Sequence, residues 1–333
     1  MMVDWPLLPI LILATPSAIS PHHVRAALRG RPSYWDAFAL CLGMQTPLSP
    51  KTLNEGEYPA VAAMTTGYVF RVENEMMVSY LLRVSRTGHL VTLDVVSASV
   101  GESERRYTKP HGLISLWITT VLLYCGAGKR VNADWLFVST VSLLLLSRIF
   151  AIISLRARAG PSWHGAPEPG VKGDLLILLS QDRWVRMRGL VDDLKAVTSG
   201  SCLREPKYPI LMQAFEWTAC VLVYLATVLL GNARWENRIV LVLNLLISHG
   251  TLVLSNAVTK ELKLNDRTVK MSDKEGGSMS YDRRLDLARQ LIKETGRSDW
   301  AIRLGMISPE QVNKAPTEAE KKSQDPEHEI VTM

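Results

Sequence analysis

Arg148, Glu216 and His249 are the residues whose types and positions call for a chemical explanation. Each stands inside a run of apolar residues long enough to cross a bilayer, where an ionisable side chain is costly and is a candidate for function by default. At about 1.5 Å per residue, Arg148 and Glu216 fall roughly 10 Å from the same end of consecutive runs, and His249 lies about 15 Å in. Equal depth predicts a direct Arg148–Glu216 ion pair facing the interior of a helix bundle. Such a set supports transport of an ion or solute, or acid–base work on a lipophilic substrate. The plainer reading is that the pair only joins two helices, with His249 bonded to a neighbouring carbonyl or hydroxyl.

Other constellations are weaker. The chain has no GxxxxGK[ST] loop, GxGxxG, HExxH, GxSxG or EF-hand pattern, so the sequence suggests no cofactor. His22-His23 is too small a set for a zinc site, which needs three or four ligands. Asp192-Asp193 would point about 100° apart on a helix and form its wet face. Cys41, Cys125, Cys202 and Cys220 lack metal or disulfide spacing, so no metal site is expected. Trp35, Trp117, Trp135, Trp184, Trp217 and Trp235 mostly fall near the ends of apolar runs, where an indole suits the headgroup zone.

The elements that must position these residues are four apolar blocks: about 111–128, 133–155, 210–231 and 239–259. A hydrocarbon core about 30 Å thick takes roughly 20 helical residues, and all four qualify. Residues 5–19 are apolar but short and broken by Pro6, Pro9 and Pro16; they stand as either a fifth, atypical span or a segment lying against the bundle. The expected fold is therefore an all-α membrane protein, a bundle of four transmembrane helices with cytosolic amphipathic helices. No inverted repeat and no pair of broken spans is visible. Residues 1–108 form a mixed N-terminal region, in which Glu75–Val84 and His89–Val96 fit a hairpin turned at Arg86-Thr87-Gly88, or an amphipathic helix over Asn74–Arg86. Residues 174–199 place Leu176, Leu179, Met187, Leu190, Leu194 and Val197 on one helical face. This predicts an interfacial loop helix carrying Arg183, Trp184, Arg186, Arg188 and Lys195. Residues 260–333 form a polar tail with a helix near Tyr281–Thr295, a capping box at Ser308–Gln311, and disorder from about 314.

Charge assigns the sides. Arg105, Arg106, Lys109, the many basic residues between the second and third blocks, and Lys260, Lys263, Arg267 and Lys270 all fall on one side, which the positive-inside rule places in the cytosol. The formal net charge of +6 suits an anionic bilayer surface. No basic face interleaved with aromatics points to nucleic acid.

The segment Gly173–Gly200, GDLLILLSQDRWVRMRGLVDDLKAVTSG, resembles a stretch of uncharacterised multi-pass integral membrane proteins of filamentous fungi. The resemblance implies a eukaryotic membrane setting, plasma membrane or endomembrane, and no activity. The leading functional expectation is a non-enzymatic membrane component whose partners are the lipid bilayer and proteins bound at its cytosolic loop and tail. The alternatives are a small transporter or channel using Arg148, Glu216 and His249, and a membrane-embedded enzyme using the same residues.

Overall fold

The computed structural model describes residues 13, 20–28, 34–47, 49–97, 134–160, 165–272 and 278–312. The apolar block at 111–128, the tail beyond 312 and all of 5–19 except Leu13 lie outside the described residues.

The expected all-α bundle is not what this chain builds. Eight strands form one mixed sheet, and among the described residues three helices, not four, are long and apolar enough to cross a membrane. Those helices are α3 (Trp135–Arg158), α5 (Pro209–Gly231) and α6 (Trp235–Val258). The shorter helices are α1 (Ser20–Leu28), α2 (Glu75–Val84), α4 (Val191–Thr198), α7 (Arg284–Thr295), α8 (Asp299–Arg303) and α9 (Pro309–Val312). The strands are β1 (Ala60–Ala63), β2 (Val69–Arg71), β3 (His89–Ser97), β4 (Lys172–Leu179), β5 (Arg183–Leu190), β6 (Leu262–Leu264), β7 (Arg267–Met271) and β8 (Ser278–Ser280). Their order is β2-β1-β4-β5-β3-β7-β6, with β8 also on β3, and β3–β5 is the one parallel pair.

Strands from before, between and after the long helices thus enter one sheet. The predicted loop helix is the β4–β5 hairpin followed by the short helix α4. Its Leu-rich run is buried on both faces of the sheet, so alternation is invisible in it. Leu175, Ile177 and Leu179 join one core cluster, while Leu176 and Leu178 pack on another. Gln181 and Asp182, both at positive φ, turn the hairpin, and Asn265 and Asp266 turn β6–β7 in the same way. Of the two readings of residues 74–96, the amphipathic helix holds: α2 takes Glu75–Val84 and is followed by strand β3, so no hairpin forms there. Asn74 caps α2 by accepting from the Met77 amide at 3.1 Å.

The two sheet faces have different neighbours. One carries Val61, Val91, Leu93, Ile177, Val185 and Met187 and packs on α2, α4 and the end of α3, through Ile152 and Leu155. The other carries Ala62, Leu90, Leu176 and Trp184 and is covered by Leu287, Leu291 and Trp300 of α7 and α8. Residues 284–307 of the polar tail therefore fold back onto the sheet, and Gly296, in the left-handed conformation, ends α7.

At the sheet end, Tyr80 Oη donates to the Lys260 carbonyl at 2.8 Å and the Arg204 amide to the Arg158 carbonyl at 3.0 Å. At the far end, Asp134 caps α3 through the Phe137 amide and accepts from the Arg234 amide and Asn237 Nδ2, each at 2.9 Å. Burial alone would raise the Asp134 pKa, but these hydrogen bonds outweigh it and hold the carboxyl below its usual value. Between the ends, α3 and α5 pack closely: Ser147 Oγ donates to the Ala219 carbonyl at 2.7 Å, and the Phe150 and Phe215 rings stack.

The chain also repeats itself. β2 lies outside β1 as β5 lies outside β4, and β1 and β4 adjoin antiparallel about the Val61–Ile177 pair. Each hairpin is followed by a helix on the same sheet face. The sequence agrees: Trp117, Val121, Leu122 and Tyr124 recur as Trp217, Val221, Leu222 and Tyr224, and Leu144-Leu145-Leu146-Ser147-Arg148 recurs as Leu245-Leu246-Ile247-Ser248-His249. Burial follows the same alignment. Thr140, Val141, Leu144, Ser147 and Arg148 are buried, as are Leu241, Val242, Leu245, Ser248 and His249. Ser139, Ser142, Leu146 and Ile149 are exposed, as are Val240, Leu243, Ile247 and Gly250. Helices α3 and α6 start together at the far end and both run toward the sheet, so this pair is not related as an inverted repeat.

Candidate functional site

Arg148 and Glu216 do not pair. Glu216 Oε1 accepts from Arg158 Nη1 at 2.8 Å and from Ser154 Oγ at 2.7 Å, at the sheet end of the α3–α5 contact. Arg158 can reach Glu216 because α3 continues past Leu155, where its last turn lies beside the start of α5. The block boundary read from hydropathy stops short of that turn.

Arg148 lies one helical face away, 3% exposed, and its Nε donates to the carbonyl of Asp36 at 3.2 Å. Asp36 belongs to a 3-10 turn, Tyr34–Phe38, followed by irregular backbone through Gln45. Leu40, Cys41, Leu42 and Met44 of that stretch share a core cluster with Phe137, Val141, Leu230 and Leu241 of the long helices. Non-helical backbone at this depth persists only where protein or a polar cavity satisfies it. The guanidinium does part of that, and the Thr46 amide closes a turn onto the Gly43 carbonyl.

His249, 8% exposed, meets a different segment. Its ring stands edge to face with His22 of α1, centroids 6.0 Å apart, and Asn256 Nδ2 donates to the His22 carbonyl at 2.9 Å. Each ring has an Nδ1 that is buried with no hydrogen-bond partner among the described residues. The three residues expected to cluster are therefore dispersed: Glu216 at the sheet end, Arg148 against Asp36, His249 against His22.

The residues assigned to an interfacial helix instead knit the sheet together. Trp184 is buried, with Tyr281 packed edge-on against it, so it anchors α7 rather than a bilayer. Arg186 holds Asp174 through Nε and Nη2 and reaches Glu294 of α7 with Nη1 at 2.6 Å. Burial opposes the Glu294 charge, but the Arg186 and Gln290 hydrogen bonds outweigh that and lower its pKa. Arg183 pairs with Glu57 at 3.3 Å, Arg188 lies 3.8 Å from Asp174, and Lys195 pairs with Glu168. Asp193 is not on a wet face: it is buried, accepting from Ser97 Oγ at 2.8 Å and pairing with Arg267. Trp135 and Trp235 are exposed at the first residues of α3 and α6, whereas Trp217, also exposed, lies more than two turns into α5.

One groove of about 520 Å³ opens on the sheet where β3 and β5 end and β4 begins. Val95, Ser97, Lys172, Arg188, Leu190 and Asp193 line it. Gly173 and Gly189 face each other across β4–β5 on its floor. A Cβ at Gly189 would stand 2.7 Å from the Val95 carbonyl oxygen, so the groove's shape depends on that glycine. Among the described residues no group of three or more His, Cys, Asp or Glu is placed to hold a metal ion.

Sequence reasoning missed Asp36, Arg158, His22 and Arg267. Arg158 and Arg267 had a signal, since each lies near an unpartnered acid once the helix end and the β6–β7 hairpin are drawn correctly. No family model, curated protein or solved structure matches this chain.

Proposed function

We propose that this chain is a non-enzymatic membrane component that holds its sheet domain against the cytosolic face of a bilayer and offers the β3–β4–β5 groove to a protein partner. The observation behind this reading is that Glu216, the carboxylate of the expected Arg148, Glu216 and His249 set, is held by Arg158 and Ser154 and meets neither Arg148 nor His249. Lys172 and Arg188, the latter 3.8 Å from Asp174, line the groove. Arg156, Arg158, Arg204, Lys207, Lys260 and Lys263 lie at the sheet end of the long helices, against Arg234 and Arg238 at the far end, and this bias favours a cytosolic sheet.

The test is a deletion strain carrying variants of its own gene. Lys172→Glu with Arg188→Glu should lose function at unchanged folded yield, while Glu216→Gln, if it folds, should keep it. Retained function in the groove variant would remove this reading. A second reading, a small transporter, rests on one observation: irregular backbone, residues 39–45, packs among the long helices.

A further inference from the structure

Helix α1 straps the long helices to the sheet. Its Val24, Ala27 and Leu28 share a core cluster with Val91 of β3 and Met77 of α2, while Ala26 joins the cluster of Val223 and Leu245 on α5 and α6. Arg25 Nε donates to Ser79 Oγ of α2 at 2.9 Å, and Asn256 Nδ2 of α6 donates to the His22 carbonyl at 2.9 Å. Arg83 of α2 closes the triangle by donating to the Asn256 carbonyl. About two turns before Asn256, the His249 ring meets the His22 ring edge to face, centroids 6.0 Å apart. The contacts of α1 with Ser79, Asn256 and the two cores keep one charge state between pH 5 and 8. The imidazoles do not.

The surroundings set the sign of that titration. His249 is 8% exposed, and the Nδ1 atom of each ring is enclosed. Protonation makes both nitrogens of a ring donors, so the new charge and its N–H lie inside a buried contact. Arg25 acts on His22 from α1 itself, and Arg83 of α2, which lies over the Tyr80 ring, acts on Arg25. Glu55, after the Pro50–Thr52 turn, is a carboxylate that also acts on Arg25. From α6 the titratable group facing His22 is His249. A first proton therefore adds a cation beside Arg25 and the second imidazole. A second would set two imidazoliums 6.0 Å apart. Burial, and after it Arg25, holds the His22 pKa below 6.5.

We propose that the His22–His249 contact is a proton-operated latch, which fastens α1 across the junction of helices and sheet while both rings are neutral and releases it on proton uptake. The latch goes beyond the groove reading and does not depend on it. A histidine whose pKa is lowered in the closed state binds its proton more readily once released. Closure is therefore fully favoured above about pH 6.5 and loses stability as pH falls from there toward the closed-state value.

Hydrogen exchange of the Ser20–Leu28 segment is measured in the full chain, in an uncharged detergent, at about pH 7.5 and about pH 5.5, with each rate divided by its intrinsic value. Protection of α1 should fall by about three- to tenfold per histidine over this window. Protection of α7 should stay constant, because its Glu294 titrates lower. His22→Gln and His249→Gln should each remove part of the response, and the double variant all of it. Should the double variant not fold, deuteration of the histidine ring carbons in the wild-type chain carries the test, with His22 titrating below 6.5. The proposal is overturned if α1 protection is the same at both pH values, or if α7 loses protection in step with α1. It is also overturned if the double variant responds like the wild type, or if His22 titrates at or above 6.5.

Discussion

Arg158 Nη1 lies 2.8 Å from Glu216 Oε1, with each side chain about one quarter exposed, where the last turn of α3 meets the second turn of α5. Ser154 adds a second donor to the same oxygen. The pair sits at the rim of the apolar helices rather than in their middle, so its contribution is that of a partly solvated contact.

The corresponding prediction is a thermodynamic cycle. Arg158→Leu and Glu216→Leu should each destabilise the chain, and the double variant should show a favourable coupling of about 1 kcal/mol. Arg148→Leu combined with Glu216→Leu should simply add. Unfolding in mixed micelles measures all of these. Coupling in the Arg148 cycle and none in the Arg158 cycle would reverse the assignment.

How much of this was legible beforehand varies by element. The three described long helices were, because runs such as Ile239–Val258 carry their signal in composition alone. Each differs from its expected bounds by only a few residues. The sheet was not. Leu175–Leu179 is buried on both faces, so the period of two never shows, and Leu176, Leu179 and Met187 mimic a helical stripe by accident. The hairpin turns at Gln181-Asp182 and Asn265-Asp266 lack the glycine that usually marks them. Arg148 and His249 are buried, and Glu216 is half-buried at the sheet end of the helices. Their partners Asp36, Arg158 and His22 were not foreseen, because two of them come from an N-terminal stretch without periodicity. The sequence recurrence lies in Trp117/Trp217 and Tyr124/Tyr224, a hundred residues apart, with no turn or charge signal to mark it.

Arg186 gives a pH prediction. The Glu294 pKa is lowered from 4.5, against its burial, by the hydrogen bonds from Arg186 and Gln290. A lowered carboxylate pKa contributes stability above the unfolded value and loses it as pH falls through the folded value. Docking of α7 should therefore weaken below about pH 4.5, the unfolded reference. Hydrogen exchange in the Arg284–Thr295 peptide should accelerate there in the wild-type chain, and Glu294→Gln should exchange faster at neutral pH but respond less to acid. An equal acid response in both proteins would rule the pair out as its source.

Glycine positions separate packing from propensity. Gly189→Ala sets a methyl against the Val95 carbonyl and should cost about 1–3 kcal/mol, the range of overpacked cores. Gly250→Ala, within α6 with nothing near its Cβ, should be neutral or stabilising by up to about 1 kcal/mol. Thermal unfolding of both variants in one detergent compares them directly. Equal effects would contradict the β3–β5 contact at Gly189.

Strands from three separate stretches of chain meet in one sheet at one end of the long helices. Single cysteines at Thr66, Gln181 and Asp266, exposed positions in the β1–β2, β4–β5 and β6–β7 turns, report each stretch, and one at Asn232 reports the far end. The native cysteines are replaced by Ser. In intact cells an impermeant maleimide should label Asn232→Cys, and it should label Thr66→Cys, Gln181→Cys and Asp266→Cys only after the membrane is opened. External labelling of any one of these three in a folded, intact preparation would break the shared sheet and contradict the account.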